Sequence, residues 1–259
     1  MNENSDINAF SFDDIAFDFD NLFDDVGKLT DLEGEAIDRI LKPFDVRTVL
    51  DCACGTGIQS IGLARKGYSV SASDISPKMV DITLQKGLRE CLPIDAKVAD
   101  FRYLSEWKNG KFDAIISMGN SLTLMPNRED ISLALASMIR IVKKPGGIIV
   151  IGLHNYLGSK ELRMSIIPRH TIADTGKFEV LFDFREFSEE QVTVTYFFIN
   201  RVDREWRMRT YSKSYLLLSM EELHQALISA GCKCVQLLDI SGKRDGQNDD
   251  EWVIAVGRV

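Results

Sequence analysis

The chain has 259 residues, 45% of them hydrophobic and 27% charged, with 18 Gly, 6 Pro and a net charge of −8. That length suits one large α/β domain, or a core domain carrying an insert. No stretch approaches the roughly 20 apolar residues that a membrane span needs. The first 27 residues hold eight acids and no Lys or Arg, so they lack the basic start of a secretory signal; a cytoplasmic protein with no membrane partner is expected. Beyond that start 31 acids face 31 bases, so there is no basic stripe to offset the phosphates of a long nucleic acid.

In chain order, the acidic segment 1–30 carries Phe10, Phe12, Phe17, Phe19 and Phe23 among its aspartates. Those rings want an apolar surface, so the segment reads as a flap lying on the domain. A helix is expected over 31–42, stopped by Pro43. Strands over 48–52, 68–72, 97–99, 113–118 and 148–151 then alternate with helices over 57–66, after Ser76-Pro77, and from Asn127 to the break at Pro145-Gly146-Gly147. Such alternation means parallel pairing with right-handed crossovers, hence a doubly wound sheet.

The period then changes to two. Phe178, Val180, Phe182 and Phe184 alternate, as do Val192, Val194, Tyr196 and Phe198, and then Trp206 and Met208. Three such runs predict an antiparallel meander. A last helix opens with the capping box Ser219-x-x-Glu222 and closes at Gly231. Strands over 234–239 and 252–256, joined by the polar loop 241–250, end the chain as a hairpin. The expected divisions are a flap over 1–30, a core over 31–157, a β insert over 158–218 that forms part of a substrate pocket, and the core's final helix and hairpin over 219–259.

Of five cysteines, four form two C-x-C pairs, Cys52/Cys54 and Cys232/Cys234, and Cys91 stands alone. The gaps are shorter than zinc sites usually use and no His follows at ligand spacing. Buried thiols, and no metal, are expected.

The strongest chemical signal is Val49-Leu50-Asp51-Cys52-Ala53-Cys54-Gly55-Thr56-Gly57, at the turn from the first strand to its helix. Gly55 and Gly57 leave the backbone bare for a ligand. Ser60 stands where a dinucleotide fingerprint has its third Gly, and Asp51 ends the strand. A pyrophosphate would be repelled by that carboxylate; a ligand with an ammonium and a sulfonium would not. Asp74 ends the second strand and can accept from both hydroxyls of a ribose. Asp100 follows the third strand and can accept from an adenine amino group, flanked by Phe101.

In these features the sequence resembles the class I S-adenosylmethionine (AdoMet)-dependent methyltransferases over about residues 30–259. Asp51-x-Ala53-Cys54-Gly55-Thr56-Gly57 matches that family's glycine-rich motif, Asp74 its ribose acid and Asp100-Phe101 its adenine contact. Ile75, Met79, Met118 and Gly119 complete the candidate cofactor contacts. The closing hairpin is similar to that family's and implies a Rossmann-like seven-stranded sheet of order 3-2-1-4-5-7-6, the last strand antiparallel. Met118-Gly119-Asn120-Ser121-Leu122 and Asn155-Tyr156 resemble segments of glycine and sarcosine N-methyltransferases. Two positions depart from them: Leu124 stands where a His is usual, and His154 replaces an Arg that grips the substrate carboxylate. A changed substrate is expected.

The inserted meander resembles that of amino-sugar N-methyltransferases, where it shapes the acceptor pocket. The implied activity is methyl transfer to a small molecule, most readily an amine, by a monomer or homodimer. O-methylation, or AdoMet binding without turnover, are the alternatives. Asn120 is the expected acceptor contact and His154 the candidate base; Tyr156, Tyr196 and Tyr211 are candidate pocket residues.

Overall fold

The computed structural model describes residues 11–107, 112–174, 177–202, 205–239 and 251–259. Phe10 and the loop over 241–250 lie outside them. Two short turns, α1 (Phe12–Ile15) and a 3-10 turn (Phe19–Leu22), precede the long helix α2 (Val26–Leu41). That helix begins five residues before the expected 31, because Asp25 caps it by accepting from the Lys28 N–H at 2.9 Å.

The core then alternates as expected. β1 (Thr48–Asp51), α3 (Ile58–Arg65), β2 (Ser69–Asp74), α4 (Pro77–Arg89), β3 (Asp95–Val98), β4 (Ala114–Ser117), α5 (Arg128–Ile141) and β5 (Ile148–His154) follow one another. Ser76 caps α4 through the Met79 N–H, with Pro77 at its first position. Four antiparallel strands come next, β6 (Met164–Asp174), β7 (Lys177–Phe187), β8 (Gln191–Val202) and β9 (Glu205–Leu216). The chain closes with α6 (Met220–Ala230), β10 (Cys234–Asp239) and β11 (Trp252–Arg258). Ser219 and Glu222 form the capping box of α6.

Among the described residues the strands form two sheets. One runs β10-β11-β5-β4-β1-β2-β3, with β11 antiparallel to both neighbours. This is the 3-2-1-4-5-7-6 order, since β10 and β11 are the core's sixth and seventh strands. Its central strands are buried on both faces, so they read as continuous apolar runs. Leu50, Ile115, Ile149 and Ile151 pack under α5 and α6. Val49, Ile116, Ile148 and Val150 face the opposite way, against α2 and α3.

The second sheet runs β6-β7-β8-β9. Its first strand is absent from the sequence reading, which found three period-2 runs. β6 contains Pro168 and a register shift between Pro168 and His170. Both features mask the period and both suit an edge strand. The cysteines correct another expectation: Cys52, Cys54 and Cys232 are buried, whereas Cys91 and Cys234 are exposed. Cys234 opens β10, the edge strand of the sheet, where the strand end is exposed.

Candidate functional site

The carboxyl ends of β1, β2 and β3 open on a cavity of about 670 Å³. After β1 the chain turns through Gly55 at φ +51, a left-handed conformation, and Gly55 lines the cavity with Ala53 and Thr56. Gly57, at φ +88, is needed for a different reason. A Cβ there would meet the Thr83 hydroxyl of α4 at 2.9 Å, so Gly57 lets α3 and α4 approach and stands off the cavity wall.

Asp51 is also off the wall. It is fully buried, its Oδ2 accepting from Ser60 Oγ at 2.7 Å. Burial pushes its carboxyl up to about 7, with the hydrogen bonds from Ser60 and Ala53 opposing. The Ser60 that breaks a dinucleotide fingerprint is therefore this acid's partner. A raised carboxyl pKa favours the fold while the group is protonated, and that contribution falls away as pH climbs from about 4 through 7. Asp51→Asn removes the titration. Denaturant unfolding is expected to show the variant gaining on the wild type by about 2 kcal/mol between about pH 5 and about pH 8. A stability difference that stays constant with pH would refute this account of Asp51.

Asp74 ends β2 on the cavity. Its Oδ2 accepts from the Gly55 N–H and its Oδ1 from the Ser76 N–H, both at 2.9 Å, and burial raises its pKa. Each oxygen keeps lone-pair capacity for a ligand hydroxyl. Ile75 and Met79 line the same wall, as do Asp100 and Phe101 after β3. Asp100 is gripped by Arg102, whose Nη2 donates at 2.6 Å while Nε spans both oxygens. Burial raises the Asp100 pKa, but Arg102 outweighs it and holds the carboxyl below its ordinary value. The cavity also has a carboxylate that the sequence reading missed. Glu33, on the α2 face that carries Leu29 and Ala36, lines it, and burial raises its pKa. A lone acid on an otherwise apolar helical stripe was the available signal.

Beyond β4, Met118 and Gly119 carry the wall on to Asn120. Asn120 takes a left-handed conformation, φ +70, and is buried. Its Oδ1 accepts from the His154 backbone N–H at 3.1 Å and from Thr123 Oγ1 at 2.9 Å. Because the His154 N–H can only donate, the atom facing it must be the oxygen. Nδ2 is left buried with no partner among the described residues. It is a donor waiting for an oxygen, and both acceptor positions of the amide are filled.

His154 ends β5, stacked on Tyr156 at 4.0 Å and edge-on to Trp252 of β11 at 5.1 Å. Its Nε2 lies 3.1 Å from Glu251 Oε1. Burial first, then the charge of Arg185, lowers its pKa to about 4 against the pull of Glu251. The ring is thus neutral at ordinary pH. A carboxylate only accepts, so Nε2 carries the proton, and the unpartnered Nδ1 presents a lone pair.

Tyr156 and Tyr196 line this end of the cavity, and burial raises both their pKa values. Tyr215 of β9 joins them, 5.9 Å from Tyr156 between ring centres. Tyr211 does not line the cavity. It donates instead to Asp18 Oδ2 at 3.0 Å, in the segment before α2, where Arg209 also donates at 2.6 Å. Tyr211 sits directly opposite Tyr196 across β8 and β9, but the N-terminal segment covers it. Phe12, Phe19, Leu22 and Phe23 of that segment form cavity wall. Arg169 of β6 and Lys213 of β9 line it too, and neither was anticipated.

Residues 49–147 match a family described as a methyltransferase domain. A glycine/sarcosine N-methyltransferase of Parasynechococcus marenigrum (strain WH8102) is 36% identical over 124 residues, 48% of this chain and 44% of that protein. The chain spans about half the length of the curated relatives it matches. An S-adenosylmethionine-dependent methyltransferase structure from Clostridium acetobutylicum has a TM-score of 0.77 at 18% identity, covering 96% of this chain and 98% of that one. A sugar N-methyltransferase structure from Streptoalloteichus has a TM-score of 0.70 at 18% identity, covering 89% and 88%. At such identities the structural likeness establishes the fold.

Proposed function

We propose that this chain, which carries a class I AdoMet-dependent methyltransferase domain on the matching fold, transfers a methyl group from AdoMet to the nitrogen of a small-molecule amine. One observation carries the reading. A single cavity joins the Gly55–Asp74–Asp100 ledge to Asn120, His154, Tyr156 and Tyr196. The relatives named as glycine/sarcosine and sugar N-methyltransferases support a small amine without fixing which one.

The residues fit AdoMet. Gly55 leaves bare backbone for close approach, and Asp74 keeps lone pairs for a vicinal diol. Phe101 and Ile75 put apolar side chains on the wall for a flat base, and Glu33 puts a carboxylate there for an ammonium. When bound, AdoMet supplies a methyl group on a positively charged sulfonium, already activated for in-line displacement. The protein then has to hold a nitrogen lone pair in line at about 3 Å and keep water out.

His154 Nδ1 suits an acceptor for an amine N–H, which would aim the nitrogen's lone pair away from the ring. Asn120 Nδ2 suits an oxygen of the same acceptor. A hydroxyl acceptor would need a stronger base than an imidazole of pKa about 4. Buried tyrosines held protonated do not supply one. Nitrogen is therefore favoured over oxygen.

The test is incubation with methyl-labelled AdoMet and panels of small amines and alcohols, the labelled atom being located by mass spectrometry. Label on nitrogen supports the reading. Label on oxygen, or AdoMet binding with no transfer to any panel member, would overturn it. A second expectation concerns pH. Because His154 stays neutral down to about 4, the kcat profile of the wild type should show no imidazole ionisation near pH 6.5. A limb there that disappears in His154→Asn would mean that His154 titrates as a base after all.

A further inference from the structure

Arg169, on the cavity wall, belongs to a charge arrangement that methyl transfer to a neutral amine does not use. Asp183 of β7 is fully buried, and its Oδ2 accepts from Arg169 Nη2 at 2.8 Å and from Arg185 Nε at 3.3 Å. Two guanidinium groups thus share one carboxylate; Asp183 and Arg185 are buried, and the excess positive charge falls on Arg169, whose side chain is one-third exposed. Arg185 is itself buried, its cation 5.3 Å from the centre of the Tyr156 ring. Lys213 also lines the wall, its pKa lowered by burial against the nearby charge of Asp14. The positive charges of Arg185 and Arg169 are close enough to act on His154. That excess cation is partly desolvated and only partly paired, and an anion brought in by a ligand would complete its pairing.

The backbone supplies a reason for Arg169 to be there. β6 pairs Pro168 with Phe182 and then His170 with Leu181, so Arg169 is the extra residue of a bulge. Bulges re-aim side chains beside functional sites. This one sets the Arg169 side chain against Asp183 and in the cavity wall. Only Nη2 is spent on Asp183, and the rest of the planar fork suits a carboxylate or a phosphate.

We infer that Arg169, braced by Asp183 with Arg185 behind it, is an anion anchor for the methyl acceptor. The substrate class is then a small amine that also carries a carboxylate or a phosphate group. This rests on the methyltransferase reading for the amine, but the anion site itself does not depend on turnover.

The test therefore needs no substrate. Thermal unfolding of the full chain, with and without S-adenosylhomocysteine, is followed against sodium acetate and inorganic phosphate, with sodium chloride as the ionic-strength control. A saturable rise in Tm with acetate beyond chloride points to a carboxylate acceptor; one with phosphate points to a phosphate ester. Arg169→Gln should weaken that apparent affinity by about tenfold or more while leaving the affinity for S-adenosylhomocysteine unchanged. Arg169→Lys, which keeps the charge and loses the fork, should fall between, and it decides the matter if the Gln variant does not fold. No anion effect beyond chloride, or an undiminished effect in the variants, overturns the anchor. Failure of S-adenosylhomocysteine to bind while the anion effect persists would instead overturn the methyltransferase reading.

Discussion

Asp74→Ala is expected to raise the dissociation constant for AdoMet by about a thousandfold, and calorimetric titration of both proteins would measure it. Hydrogen bonds to a charged acceptor are worth about 1.5–3 kcal/mol each, and a diol would make two. The carboxylate also organises the protein side of the site. It accepts the Gly55 and Ser76 N–H groups, so its loss loosens the glycine turn and the entry to α4 together. Thermal unfolding of the unliganded variant separates these effects. A variant that keeps its Tm but loses AdoMet shows a binding role for the carboxylate. An unchanged affinity would remove Asp74 from the site and undermine the ribose assignment.

Removing residues 1–24 is expected to weaken AdoMet binding by about a hundredfold or more and to lower Tm by roughly 10 °C. The segment is acidic, yet it packs through its apolar residues. Ile15, Ala16 and Leu22 are buried against Met79 of α4 and against Leu181 and Phe198 of the second sheet. Its aspartates bind to three different elements. Asp13 meets Ser76 at the cap of α4, and Asp18 accepts from Arg209 and Tyr211 of β9. Asp20 accepts from Thr56 of the glycine turn at 2.6 Å and pairs with Lys86 of α4 at 2.7 Å.

Burying the apolar side chains is worth about 1.5–3 kcal/mol for each large one; the partly exposed ion pairs add little. The cut falls before Asp25, so α2 keeps its cap. Phe19→Ala is the milder companion, since that ring lies near Gly55 and lines the cavity. Truncated protein that binds AdoMet as tightly as the full chain would show that the segment is packing alone.

What could be read from the chain alone had local causes. The glycine turn after β1, the Ser76-Pro77 cap, the Ser219–Glu222 box and the Ile-rich β4 and β5 are each written within a few neighbouring residues. Alternation of period then separates the parallel core from the antiparallel insert. Short-range rules were thus enough for the element order of the parallel core, for the doubly wound sheet and for the strand ends on which Asp74, Asp100 and Asn120 sit.

Which side chains meet in the cavity was decided by contacts distant in sequence. Asp51 ends a strand as a ligand-facing acid would, yet Ser60 on α3 draws it into the core. Tyr211 sits opposite Tyr196, yet Asp18, far away in the chain, claims its hydroxyl. His154 acquires its tautomer from Glu251 and an edge-on ring contact from Trp252, which only the β5–β11 register brings alongside. Arg169 reaches the wall through a bulge opposite β7 that Pro168 hid from any period count. The sequence by itself determined the backbone's repertoire and the end of the sheet where a ligand would sit, because those follow from local sterics and periodicity. Only the tertiary structure decided which charges are buried, paired or left facing the cavity, because desolvation and Coulomb energy depend on neighbours in space.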